Sequence, residues 1–129
     1  MKNIKEILAD NIIGTLATVD RDGSPWSTPL HIFTDDEALY WFSKEQTQHS
    51  RNIANNPQVC LALWSKSEGT KGAYISGKVE VVDEGPLLEI VTATLGSVPP
   101  VFENTQAYKL PLGSLDEARS SEKRWYFYT

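Results

Sequence analysis

Apolar residues Ile4, Ile7, Leu8 and Ile12 recur at helical spacing, with Lys5, Glu6 and Asp10 between them. This predicts one amphipathic helix at the start of the chain, ending near Gly14. The period then changes to two. Thr15, Ala17 and Val19 alternate with Leu16 and Thr18, predicting a first strand. The segment 20–25 (DRDGSP) is dense in turn formers. A second strand follows over 26–33, and Pro29 inside it requires a sheet edge or a bulge, because proline has no N–H to give to a ladder. Residues 34–37 make another tight turn, and 38–43 (ALYWFS) read as a third strand, completing a meander of hairpins.

Residues 44–56 (KEQTQHSRNIANN) are polar and lack β-branched runs, which predicts a short helix stopped by Pro57. Strands are expected at 58–64 and at 72–83. The second of these has Ala73, Ile75, Val79 and Val81 on one face, and Gly77 marks a bulge or close backbone approach. A helix opened by Pro86 runs to about Leu95. Residues 98–114, with Pro99, Pro100 and Pro111, read as irregular; 115–121 read as a helical turn and 124–129 as a last strand. The order is α-βββ-α-ββ-α-loop-β. Five or six short strands with regular turns make this a mainly β chain with a few helices, a barrel or a sandwich.

Composition narrows the class. A length of 129 residues is one ordinary domain, 1–129, and 40% hydrophobic with 22% charged content is globular. Cys60 is the only cysteine, so neither an intrachain disulfide nor a cysteine-based metal site can form. The net charge of -5 disfavours nucleic acid and anionic membrane surfaces as partners. No run approaches the ~20 apolar residues that span a bilayer, and the charged N-terminus is unlike a secretory signal, so a cytoplasmic location is expected.

Catalytic motifs are scarce. His31 and His49 are the only histidines, and no Gly-x-Ser-x-Gly, HExxH, Walker A or GxGxxG occurs. Asp20, Asp22, Asp35 and Asp36 fall in turns and are expected to be solvated turn residues. One segment differs: the aromatic strand 38–43 runs into the polar helix. That junction places unpaired backbone N–H groups near Ser43 and Thr47, with Gln48, His49 and Arg51 within two turns. Such a helix start suits a phosphate, and equally suits simple side-chain capping of a solvated helix.

In order and spacing, several stretches resemble the FMN-binding split barrel of the pyridoxamine 5'-phosphate oxidase family. They are 16–20 (LATVD) with 23–25 (GSP), 28–30 (TPL), 39–43 (LYWFS), 47–53 (TQHSRNI), 55–59 (NNPQV) and 75–80 (ISGKVE). The resemblance covers about half the chain and implies a six-stranded antiparallel split β-barrel with flanking helices. It implies FMN as cofactor, held between the two subunits of a homodimer. The phosphate falls on Ser43, Thr47, Gln48 and His49. The flavin ring lies along Ser27, Thr28, Pro29, Leu30 and His31, with Phe42 nearby. Trp64 or Trp125 is the candidate ring contact from the partner subunit; core or interface packing is the alternative role for each.

The chain departs from the namesake enzymes at informative points. Ser27 stands where they carry arginine, Gln48 and His49 where they carry basic residues, and the lysine expected near Ile32 is missing. Charge-assisted phosphate bonds are fewer as a result. The resemblance therefore implies an FMN-dependent oxidoreductase or flavin reductase acting on a small substrate, distinct from pyridoxamine phosphate oxidase itself. Alternatives are a non-catalytic flavin, deazaflavin or haem carrier or sensor, and a ligand-free dimerisation barrel. Arg51 either reaches the phosphate or pairs with an acidic neighbour, and His31 is otherwise a plain polar strand residue.

Overall fold

The period-two segments pair almost entirely antiparallel, in two sheets. A computed structural model describes residues 13–35, 37–65, 71–83, 87–96, 104–112 and 124–128. Strands β1 (Ile13–Val19), β2 (Pro25–His31), β5 (Gln58–Ser65), β6 (Lys71–Lys78) and β9 (Arg124–Tyr128) form a five-stranded sheet, in the order β2-β1-β5-β6-β9. Strands β3 (Phe33–Thr34), β4 (Ala38–Ser43), β7 (Glu80–Val82) and β8 (Gln106–Pro111) form a second sheet, in the order β3-β4-β8-β7. Two helices, α1 (Gln48–Asn55) and α2 (Leu88–Leu95), complete the described elements. The mostly β, two-sheet architecture is that of a split barrel. The N-terminal helix lies outside the described residues except at its expected end near Gly14, where Ile13 and Gly14 already belong to β1; the turn expected over 115–121 lies outside them altogether.

Nine strand segments are described where six strands were expected, for two physical reasons. Two of the expected strands cross between sheets. The strand over 26–33 breaks at Ile32, leaving β2 in one sheet and β3 in the other. The strand over 72–83 breaks at Val79, whose N–H donates to the Pro57 carbonyl at 3.0 Å rather than to a sheet partner. The crossing turns the chain over: Ala73, Ile75 and Val79 are buried while Val81 is 58% exposed, so the expected single apolar face holds only up to the break. The remaining segment, β8, corrects the reading of 98–114 as irregular. It is Gln106–Pro111, paired with β4 from Ser43↔Gln106 to Ala38↔Pro111. Pro111 sits at the strand's end, where a lost N–H matters least. Pro29 is likewise accommodated at an edge, since β2 ends its sheet.

The core explains why β4 is apolar at nearly every position. Leu39 and Trp41 point into the barrel with Leu16, Leu61, Ile75 and Leu110. Ala38, Tyr40 and Phe42 point the other way, into a second cluster with Phe33, Ala107 and, beside α2, Leu87 and Val91. A strand covered on both faces has no polar side to show. Trp41 stacks on its cross-strand partner Tyr108, with centroids 5.8 Å apart and planes 11° apart. Gly14 lets β1 approach its neighbours closely: a Cβ there would meet Leu63 Cδ2 at 2.7 Å.

Helix α1 has a different basis. Of its buried residues His49, Ser50, Asn52 and Ile53, only Ile53 belongs to the apolar core. Hydrogen bonds attach the rest. Asn52 Nδ2 donates to Thr18 Oγ1 of β1 at 3.0 Å, and Thr47 caps the N-terminus by accepting from the Ser50 N–H. The helix begins at Gln48, four residues later than the polar run, and stops just before Pro57 as that proline requires.

Candidate functional site

The turn between β1 and β2 and the turn between β3 and β4 are each built by an aspartate. Asp20 Oδ1 accepts from the N–H groups of Asp22 (3.1 Å) and Ser24 (2.9 Å), and Gly23 takes the left-handed conformation at φ +87. Asp35 Oδ1 accepts from the N–H groups of Glu37 and Ala38, and Asp35 Oδ2 accepts from the Tyr40 hydroxyl at 2.8 Å. Burial alone would raise the Asp35 pKa, but these donors outweigh it and hold the carboxyl below its ordinary value. Both are turn-forming roles, and the described residues contain no group of three or more His, Cys, Asp or Glu placed to hold a metal.

A groove of about 310 Å³ opens between the end of β2 and the end of β4. It is lined by Pro29, Leu30, His31, Phe42, Ser43, Lys44 and Thr105. Five of the ten residues singled out from the sequence meet here, drawn from two strands of different sheets. Ser27 and Thr28 continue along β2, exposed and half-buried respectively. Lys44 and Thr105 were not anticipated; Lys44 immediately follows the strand-end serine, while nothing in the local sequence marks Thr105.

Behind the groove, Ser43 anchors a buried polar cluster. His49 Nε2 lies 2.7 Å from Ser43 Oγ and 3.4 Å from Thr47 Oγ1. Thr47 Oγ1 also lies 2.7 Å from Ser50 Oγ and 2.9 Å from the Lys44 carbonyl oxygen. Ser43 and His49 are 6% and 7% exposed. Burial pushes the His49 pKa below its ordinary value, and no charged neighbour contributes to the shift.

Gln48 faces elsewhere. Its Nε2 donates to Asn52 Oδ1 (2.8 Å), and its Oε1 accepts from Arg51 Nη2 (2.7 Å). Gln48, Arg51 and Asn52 line a separate groove, together with Asp20, Arg21 and Asp22 of the β1–β2 turn. Arg51 thus bonds to an amide, neither of the two roles weighed for it. Thr18, Ser50 and Asn52 form the buried polar support of the helix and were missed as a set. The only sequence signal was a polar helix lacking an apolar stripe. The side chains of Trp64 and Trp125 lie outside the described part of the structure.

Two antiparallel sheets sharing a split-barrel core, with a polar strand-to-helix junction beside an edge-strand groove, define a class of small split-barrel domains. The chain belongs to the pyridoxamine 5'-phosphate oxidase family, whose model matches residues 1–111. It is 30% identical over 88 residues to General stress protein 26 of Bacillus subtilis (strain 168), covering 67% of this chain and 62% of that protein. It is 29% identical over 116 residues to a pyridoxine/pyridoxamine 5'-phosphate oxidase of Cupriavidus necator, covering 88% of this chain and 54% of that protein. The chain thus spans less than two thirds of the length of either relative. Among solved structures, an F420 reductase superposes with a TM-score of 0.73 at 21% identity, covering 88% of this chain and 96% of the other, a likeness of fold.

Proposed function

We propose that this protein binds FMN and acts as an FMN-dependent oxidoreductase or flavin reductase on a small substrate, with the cofactor between two copies of the chain. The observation that carries the reading is the groove in which Pro29, Leu30 and His31 of β2 face Phe42 and Ser43 of β4. These are residues the family resemblance assigns to the ring and phosphate. In this reading the flavin ring lies along β2, from Ser27 to His31, beside Phe42. The phosphate lies at the start of α1, where Ser43, Thr47 and His49 converge at the positive end of the helix dipole. Gln48 contributes there only after leaving its bonds to Asn52 and Arg51.

The donor set fits a phosphate-bearing flavin, with hydroxyls and an imidazole at one end and an edge-strand backbone at the other. FMN supplies hydride or electron transfer when bound. The chain's own residues orient it: β2 holds the ring plane, Phe42 packs beside it, and the Ser43–His49 cluster anchors the tail. Among the described groove residues Lys44 carries the only fixed charge, in place of the basic residues of the namesake enzymes, so pyridoxamine phosphate oxidation is not the activity proposed.

The homodimer is supported by the outer face of the five-stranded sheet. Two cross-strand rows run over it: Pro29, Thr15, Ala62 and Tyr74, and Ser27, Ala17, Cys60 and Ser76. None of these eight residues is charged, and Tyr74 is 42% exposed. Adjacent uncharged rows of this kind suit a subunit interface. They include Ser27 and Pro29, so the same association would enclose the ring.

The test is optical. The purified protein is titrated with FMN, a deazaflavin and haem. Saturable FMN binding at tens of micromolar or tighter, followed by NAD(P)H oxidation by the loaded dimer, is expected. Absence of any FMN binding sinks the reading. Preferential deazaflavin binding favours the runner-up. A haem Soret band would point to His31, the exposed imidazole in the groove.

A further inference from the structure

The phosphate end of the proposed site has an unusual balance of charge. An anion carrying two negative charges needs compensation when it leaves water. Ser43, Thr47 and Ser50 offer hydroxyls, which carry none. The charged and titratable groups around His49 do little better. On α1, Arg51 is turned away onto Gln48. On the connection before α1, Lys44 is exposed at the groove mouth, and Glu45 accepts from Gln106 Nε2 at 2.8 Å. On β8, the Tyr108 hydroxyl donates to Gln106 Oε1, and burial raises its pKa, so it stays neutral. On β1 the facing residue is Thr18, and on β2 His31 stands exposed in the groove. His49 is the one buried group of this junction that can acquire a positive charge near neutral pH. Its Nε2 already lies between the hydroxyl of Ser43, which lines the groove, and that of Thr47.

We infer that the phosphate subsite is matched to a single net negative charge, and that it accepts a phosphomonoester dianion by taking up one proton from solvent, shared between His49 and the phosphate. This rests on the proposed placement of the FMN phosphate. A free phosphomonoester is mostly dianionic above pH ~6. In the loaded site the dianion favours imidazolium, and Ser43 then accepts from the charged ring. The two groups titrate as a coupled pair, so the proton belongs to the pair. The empty site, in contrast, keeps the ring neutral because burial opposes its charge. Ligand binding and proton uptake are thereby linked, and acidification tightens the complex.

The test is calorimetric titration of the protein with FMN at pH 7.5, in buffers of different ionisation enthalpy. Roughly half to one proton should be taken up per FMN bound. Affinity should fall by up to about tenfold per pH unit as pH rises from the pKa values of the free partners toward that of the loaded pair, and level off above it. His49→Gln keeps a neutral hydrogen-bonding group and should abolish most of the uptake. NMR of labelled histidine in the unmutated protein provides a second measurement, independent of that variant's folding: the His49 ring should shift toward its protonated form when FMN is added. FMN binding without proton uptake overturns the inference, as does undiminished uptake in a folded His49→Gln protein. Failure of FMN to bind at all overturns the underlying cofactor reading instead, and this inference with it.

Discussion

His49 Nε2 and Ser43 Oγ meet at 2.7 Å in a buried position, joining the start of one helix to the end of the strand before it. Because burial disfavours the charged ring, the ligand-free protein should show a His49 pKa below 6.5 by NMR. The sign for stability follows. The unfolded chain binds the proton more readily, so the contribution of neutral His49 is complete above pH 6.5 and is lost as pH falls from there toward the folded-state pKa. Thermal melts between pH 7.5 and 5 should decline more steeply for this protein than for His49→Gln. Parallel declines would show that His49 is not the group responsible.

Thr47→Ala removes the side-chain cap of α1 and its contacts to Ser50 and His49. A loss of about 1 kcal/mol is expected in urea unfolding, with Thr47→Ser recovering most of it. The alanine variant should also weaken FMN binding, since the same hydroxyl faces the proposed phosphate. Unchanged affinity in a folded variant would place the phosphate elsewhere.

Thr18→Val keeps the volume and β-branching of a fully buried side chain but deletes the acceptor of Asn52 Nδ2. The Asn52 Nδ2 donor loses that partner, at a cost of roughly 1–3 kcal/mol. Because Asn52 in turn orders Gln48 and Arg51, amide exchange in α1 should accelerate more than in β4.

Gly14→Ala would bring a methyl to 2.7 Å from Leu63 Cδ2, 3.1 Å from Ile32 Cγ1 and 3.2 Å from Leu61 Cδ1. Three core side chains would have to move together. The expected cost is roughly 1–3 kcal/mol of stability, read from the denaturant midpoint. A neutral outcome would mean that this part of the core is more loosely packed than the contacts require.

Ala62→Lys places a charge in the uncharged row between Thr15 and Tyr74, on the outside of the sheet. Sedimentation velocity should show a dimer converted to a folded monomer, with flavin affinity reduced in parallel. A dimer that tolerates the lysine would move the interface to another face.

Much of this protein is local and could be read from residue order. Period-two alternation marked β1, the aromatic run marked β4, and Pro57 set the end of α1, since side-chain periodicity and the missing proline N–H act within a few residues. The strand-to-helix junction holding Ser43, Thr47 and His49 was visible for the same reason. Non-local pairing was not. Leu39 opposes Leu110 and Trp41 opposes Tyr108 across a long stretch of chain, and neither segment's local pattern names its partner, so β8 went unread among its prolines. The sheet changes at Ile32 and Val79 arise because one continuous strand cannot bury its apolar side against both layers of a split barrel. Gln48 shows the same limit at the scale of a side chain. Spacing brought it near the phosphate, but the bonds it makes to Asn52 and Arg51 turn it to another groove.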